Sequence, residues 1–240
     1  MRVTTKNITR ETNLPKVSII IPTKKIDAYV ERCVKACGRL AWEGEAPEII
    51  VVTDEDCPGM PAAKRNWAMK RANGEIFAFI DSDAYPSHYW LTHALYWLKC
   101  FDAVCGPGVL PPNAPYMEQV ADQVYKWVFC PYRVTPKAPR MVPWHPTFNL
   151  IVKREVATAF PSYMTGEDDK FGLAIKDGIF YHPDILVYHN RRGAFKPLWK
   201  QFGTYARHKG TFKALALIAF LTTLWTYAIN WVKGFIWRKP

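Results

Sequence analysis

Glu75-Ile76-Phe77-Ala78-Phe79-Ile80-Asp81-Ser82-Asp83 is the stretch that decides how this chain folds. Its unbroken apolar run, set off by Gly74 and a polar cluster, predicts a buried strand. The strand ends in two carboxylates one residue apart, and a chain leaving the pleat lets both approach a common point. Paired carboxylates are costly unless a cation shares the site. Oxygen ligands suit a hard ion, Mg²⁺ or Mn²⁺, which also takes oxygens from substrate phosphates. A bare D-x-D is more often a polar strand end or a helix cap, so its surroundings must decide.

Upstream, Val17-Ser18-Ile19-Ile20-Ile21 predicts a strand stopped by Pro22, and Glu48 to Thr53 a second one, followed by Asp54-Glu55-Asp56. Between them Asp27–Leu40 has a helical pattern with Asp27 as N-cap. Ala62–Ala72 reads as another helix, stopped by Asn73-Gly74. Strand–helix–strand–helix–strand with nearly all-apolar strands marks a parallel sheet covered on both faces by helices. Ligands of such sheets bind beyond the strands' carboxyl ends. Here all three ends are polar: Thr23-Lys24-Lys25, Asp54-Glu55-Asp56 and Asp81-Ser82-Asp83.

Downstream the pattern predicts a helix over 87–99, a short strand at 103–106 and an aromatic-rich helix over 115–130. The proline-rich, basic stretch 131–146 predicts a mobile loop. A strand is expected at 147–152, and another at 185–188 leads into His189. Gly166-Glu167-Asp168-Asp169 opens an amphipathic segment carrying Phe171, Leu173, Ala174 and Ile175, and acids suit a helix's first turn.

The 240 residues suffice for one large α/β domain or two small ones, with 49% apolar and 15% aromatic residues to fill a core. A formal charge of +11 favours anionic partners: nucleotides, nucleic acid or an anionic membrane surface. The six cysteines lack paired metal spacing, and Cys33 and Cys37 fit core thiols of a reduced protein. No apolar signal segment opens the chain. Neither a P-loop nor a dinucleotide fingerprint is present, and no nucleic-acid-binding pattern appears.

The order of motifs resembles the family 2 glycosyltransferases of GT-A fold. It is carried by the apolar strand with Ile21-Pro22-Thr23, the Pro61-Ala62-Ala63-Lys64-Arg65-Asn66 helix start, Asp81-Ser82-Asp83, Gly166-Glu167-Asp168, and His189 about twenty residues on. The resemblance covers roughly residues 16–210. It implies an α/β domain of Rossmann-like GT-A type, with a mostly parallel central sheet flanked by helices. It implies an inverting, metal-dependent transfer of a single sugar from a nucleotide sugar, UDP-linked, to a lipid-linked or glycan acceptor in cell-envelope glycan assembly. By similarity Thr23 lines the base pocket and Asp54 accepts from uracil or ribose. Arg65, with Lys64, faces the diphosphate. Lys24 and Lys25 stand where the family often has Asn or Glu, which departs from its base pocket.

The same resemblance makes Asp81 and Asp83 hold the metal–diphosphate, with Mn²⁺ or Mg²⁺ as cofactor and His189 as third ligand. It points to Asp168 as general base, with Glu167 contacting the acceptor or orienting the helix. The residues alone leave Glu167, Asp168 and Asp169 equivalent. Trp144 and His145 would border the acceptor, since an aromatic face stacks on sugar C–H bonds. Gln201 to Arg207 lacks the Gln-x-x-Arg-Trp of processive synthases, in keeping with single addition. A nucleotidyltransferase with a similar sheet, or a basic membrane- or nucleic-acid-binding module, are the competing readings.

Residues 1–15 form a polar lead-in, and 211–240 a separate C-terminal helix, hydrophobic to amphipathic. Ala214 to Val232 carries no charge over 19 residues, long enough to span a bilayer. Thr222, Thr226, Asn230 and Lys233 nevertheless form one polar stripe, beside an aromatic flank with Trp225, Trp231 and Trp237. The 213–237 segment therefore spans a membrane, lies in its interface, or packs on a second copy in an oligomer. A membrane would place the enzyme at its cytoplasmic face.

Overall fold

The computed structural model describes residues 14–119, 121–122, 138–162, 166–191, 221 and 225. Its main sheet has the order β2-β1-β3-β8-β5-β9-β7. The strands are β1 (Val17–Pro22), β2 (Glu48–Val52), β3 (Ile76–Ile80), β5 (Ala103–Cys105), β7 (Arg140–Val142), β8 (Asn149–Lys153) and β9 (Ile179–Tyr181). Five of these run one way, and β8 and β7 run against them. A second sheet stacks β4 (Ala84–Pro86), β10 (Val187–His189) and β6 (Gly108–Val109) in the order β4-β10-β6. The helices are α1 (Ala28–Cys37), α2 (Pro61–Met69), α3 (Trp90–Trp97) and α4 (Glu167–Leu173).

The first three strands pair in parallel as expected, and their apolar runs fill the core on both faces. Ile19, Ile21, Ala78 and Ile80 pack on one side with α1 and α3 residues, including Cys33, Cys37 and Trp90. Ile20, Phe77 and Phe79 pack on the other with Ala62 and Ala68 of α2 and Phe171 of α4. Asp27 caps α1, accepting from the Tyr29 and Val30 amides. Cys33 and Cys37 are buried free thiols.

Three departures concern non-local pairing. The strand at 149–153 slots between β3 and β5 antiparallel to both, so the sheet is mixed. Part of the expected loop 131–146 is strand: Arg140–Val142 closes the sheet edge on β9. Leu173, expected on the apolar face of α4, is 56% exposed, and Phe171 and Ile175 take the buried positions. Residues 1–13, 123–137 and nearly all of the C-terminal tail lie outside the described residues, as does Gln201–Arg207. Leu221 and Trp225 are helical and exposed. Among the described residues no helix is long and apolar enough to cross a membrane.

The amino ends of the first three strands are tied by one buried hydroxyl. Ser18 Oγ donates to Glu48 Oε2 at 2.5 Å and accepts from Gly74 N at 2.8 Å. Glu48 also accepts from the amide and side chain of Asn73. Burial pushes the Glu48 carboxyl up, but these bonds from Ser18 and Asn73 outweigh it and hold it below its ordinary value. A carboxylate depressed by folding stabilises above its unfolded pKa and loses that contribution as pH falls through the folded value. Ser18→Ala is expected to cost about 1–3 kcal/mol, because it strands the buried Gly74 amide. Glu48→Gln is expected to remove part of the acid-induced fall in stability. Urea unfolding at pH 7 and pH 3.5 measures both; an unchanged Glu48→Gln difference between the two pH values refutes the second.

Candidate active site

The carboxyl ends of β1, β2 and β3 lie side by side as the sequence predicts, and backbone bonds knit those of β1 and β2 together. Thr23 N donates to Val52 O at 2.9 Å, and Asp54 N to Lys24 O at 3.0 Å. Thr23 Oγ1 is turned back onto Lys25 O at 2.9 Å. Since β8 runs antiparallel, its entry at Thr147-Phe148 meets the same edge. The small sheet brings β10 there too, pairing His189 with Ala84.

Beyond β3, Asp81, Asp83 and His189 each offer one ligand atom, and the three lie within 4.8 Å of one another. His189 Nε2 is 3.1 Å from Asp83 Oδ1. Burial, above all, pushes the Asp81 carboxyl above its ordinary range; the Arg65 charge opposes this and Asp83 adds to it. A cation shared by the two carboxylates would relieve that cost, so the donor set fits a hard divalent ion. On the far side of the ring Arg191 lies 3.0 Å from His189 Nδ1. A guanidinium only donates, so Nδ1 accepts and Nε2 carries the proton that it gives to Asp83. Asp81 and Asp83 offer carboxylate oxygens to a metal, whereas a neutral His189 ligates through Nε2 only once its proton has moved to Nδ1 and the Arg191 contact has given way.

The sequence does not single out what holds His189. Arg191 is buried and donates through Nε to Asp122 at 2.9 Å. Glu118 Oε2 accepts from Arg191 N and from Asn190 Nδ2, both at 3.1 Å. Asn190 Oδ1 accepts in turn from Arg32. Buried acids at 118 and 122 in an otherwise aromatic segment were the available signal.

α2 turns both of its cations inward. Pro61 starts it at the position where a missing N–H costs nothing. Lys64 and Arg65 are 2% and 3% exposed, so neither belongs to a solvated helix face. Lys64 Nζ donates to Asp54 Oδ1 at 2.5 Å and to Gly59 O at 2.7 Å. Asp54 keeps a 48% exposed side chain. Arg65 forks to three acids: Asp81 at 3.0 Å, and Glu167 and Asp168 at 3.5 Å each. Its nearest partners are thus carboxylates, and it ties the metal-type cluster to α4.

α4 opens on Gly166, whose φ of 85° is the left-handed conformation glycine adopts without strain. Glu167, Asp168 and Asp169 occupy the first turn, where the helix dipole favours negative charge. Thr147 orients Asp168 through two bonds, from Oγ1 to Oδ1 at 2.9 Å and from N to Oδ2 at 3.2 Å. Among the described residues no such pair of donors meets Glu167. Burial and the Asp168 charge raise the Glu167 carboxyl above its ordinary value, with Arg65 opposing. Trp144 packs on the same helix: a Cβ at Gly172 would lie 2.7 Å from Trp144 Cβ. His145 is buried behind the site, against Phe148 and Tyr181.

A carboxyl raised by folding destabilises the native state once pH exceeds its unfolded value. Stability contributed by protonated Glu167 is complete below the ordinary carboxylate pKa and lost as pH rises through the raised value. Glu167→Gln is therefore expected to raise the melting temperature at pH 7–8 by a few degrees and leave it unchanged at pH 4. Calorimetric scans across that range check it; an equal change at both ends refutes it.

No protein-family model matches this sequence, and no curated protein does. Solved structures do match. Staphylococcus aureus TarS 1–349 in complex with UDP-GlcNAc superimposes with a TM-score of 0.55 at 16% identity, over 87% of this chain and 71% of that one. The mannosyltransferase PcManGT of Pyrobaculum calidifontis, in complex with GDP-Man and Mn²⁺, has a TM-score of 0.51 at 20% identity, over 91% and 76%. A longer S. aureus TarS structure matches over 78% of this chain but only 38% of its own length, with a TM-score of 0.53 at 19% identity. The chain has the mixed α/β fold of GT-A glycosyltransferases, with a large, mostly parallel central sheet flanked by helices.

Proposed function

We propose that the chain is an inverting, metal-dependent glycosyltransferase that moves one sugar from a nucleotide sugar, UDP-linked, to a hydroxyl of a lipid-linked or glycan acceptor. One observation carries this reading: a carboxylate pair suited to a divalent ion and a separately oriented carboxylate, Asp168, meet at one strand end, joined through Arg65. A nucleotidyltransferase would need the first and not the second. The GT-A fold and the UDP-GlcNAc and GDP-Man complexes of the neighbours support a nucleotide-sugar donor, and the Mn²⁺ of one supports the metal.

In this reading Thr23 and Asp54 border the nucleoside, with Lys64 holding Asp54 in place. Asp81 and Asp83 would hold the ion, with His189 beside them; a bound Mn²⁺ or Mg²⁺ supplies charge neutralisation for the departing diphosphate. Arg65 orients Asp81 and Asp168 together. Asp168 accepts the proton of the acceptor hydroxyl as its oxygen bonds to the anomeric carbon. The bond from that carbon to the phosphate oxygen breaks on the opposite face, and its electron pair leaves with the nucleoside diphosphate. Trp144, packed on α4, is the aromatic surface for the acceptor. The tail over 213–237 would bring this cleft to the cytoplasmic face of a membrane carrying a lipid-linked acceptor.

The test is nucleotide release from a panel of sugar nucleotides with Mn²⁺ or Mg²⁺, in detergent with extracted lipid. Metal-dependent release from one donor is expected, and release without metal overturns the metal role. Mn²⁺ binding, read by the loss of its free-ion electron spin resonance signal, separates the ligands. Asp83→Ala is expected to weaken it at least tenfold, and His189→Ala severalfold less, because His189 must change tautomer and give up its Arg191 contact to bind. Equal losses would make His189 a full ligand.

A further inference from the structure

We infer that Asn66 is a positioning residue: its side-chain amide clamps Phe160 and thereby sets the place of α4, and of Asp168, relative to the Asp81–Asp83 cluster. This rests on the proposed role of Asp168. Asn66 sits one residue beyond Arg65 on α2, half-buried. Its Nδ2 donates to Phe160 O at 2.8 Å, and its Oδ1 accepts from Phe160 N at 2.8 Å. One planar group thus meets both backbone polar atoms of a single residue 94 positions away. Two parallel bonds fix orientation as well as distance, as a neighbouring strand would.

What the clamp holds is the junction between the two halves of the site. The Phe160 ring lies on Phe171 of α4, centroids 4.0 Å apart and planes within 6°. It meets Phe79 edge-on at 5.3 Å, and Phe79 lies on β3, two residues before Asp81. The Arg65 guanidinium stands over the same ring at 5.5 Å. α4 is 7 residues long, and its N-cap, Gly166, offers no side-chain cap; Thr147 and Arg65 hold its first-turn acids and Trp144 meets Gly172, while Phe171, seated on Phe160 and Phe79, is its buried apolar anchor. Asp168 lies one turn before Phe171 on that helix. A shift of Phe160 therefore moves the carboxylate against the strand end.

Misplacement of a reacting group by about 1 Å can cost on the order of 10²-fold in rate. Asn66→Ala and Asn66→Asp are expected to lower kcat between about 10- and 100-fold. Asn66→Asp keeps the size and the acceptor but loses the donor to Phe160 O. The donor KM and Mn²⁺ affinity should stay within about threefold, because neither the nucleotide edge nor Asp81 and Asp83 is touched. Phe160→Leu keeps the backbone bonds and removes the stacked ring, and the same split is expected. Amide hydrogen exchange of residues 158–162 and 167–173, which needs no turnover, is read alongside. Faster exchange confined to these segments, with kcat falling and KM held, supports the clamp. A lower melting temperature with unchanged kcat and unchanged exchange overturns it. Should the wild type transfer no sugar, the proposed function falls and exchange alone decides: local loss of protection in Asn66→Ala supports the clamp, and none overturns it.

Discussion

Asp168→Asn is expected to lower sugar transfer by about 10²–10⁴-fold while the nucleotide and Mn²⁺ still bind. The amide is isosteric and can still accept from Thr147 through its carbonyl oxygen, so the local geometry should survive. What it loses is the ability to take a proton from the acceptor hydroxyl. Asp168 is favoured over its neighbours because Thr147 grips both of its oxygens and Arg65 reaches it at 3.5 Å. Single-turnover transfer beside calorimetric binding of the nucleotide measures both sides. Transfer that survives with an unchanged rate removes Asp168 as the base and moves the role to Glu167, whose carboxyl is held above its ordinary value by burial, or to Asp169.

Arg65→Met is expected to destabilise the fold by about 3–5 kcal/mol at pH 8, since removing one partner leaves buried charge uncompensated. Three carboxylates face the Arg65 guanidinium, and it is 3% exposed. The loss should shrink as pH falls, because Asp81 and Glu167, whose carboxyls stand above their ordinary values, then take up protons and need no counter-charge. Arg65→Lys should recover only part of it: an ammonium supplies the charge but not a planar fork reaching acids on two elements. Equal destabilisation at pH 4 and pH 8 would mean that Arg65 acts by packing on Phe160 alone. Both variants should also lower activity, since Asp81 and Asp168 lose their common partner.

The scaffold was legible because its signals are local. Unbroken apolar runs at 17–21, 48–52 and 76–80 mean strands buried on both faces, and helices between them mean parallel pairing. Asp27 announced its cap, and the acids after β3 and before α4 stood out as carboxylates where a sheet of this kind binds ligands. The D-x-D could thus be picked out from the residues themselves, and the family resemblance added His189 and the Glu167–Asp168 pair.

What only the tertiary structure decided is who meets whom. Nothing local in Asn-Leu-Ile-Val-Lys tells β8 to enter antiparallel between β3 and β5, because an apolar run buries equally well in either direction. That insertion brings Thr147 to the edge where it holds Asp168. Arg65 and Asn66 read as a charge and an amide on a short helix; apart from Asp81, their partners lie 94 to 103 residues on. Arg191 carries no local signal of its partners, yet it is buried between Asp122 and the ring of His189. A sequence records each residue's tendency to be buried or charged, which is a property of the side chain. Pairing between buried polar groups depends on the distance between segments, and only the folded chain sets that.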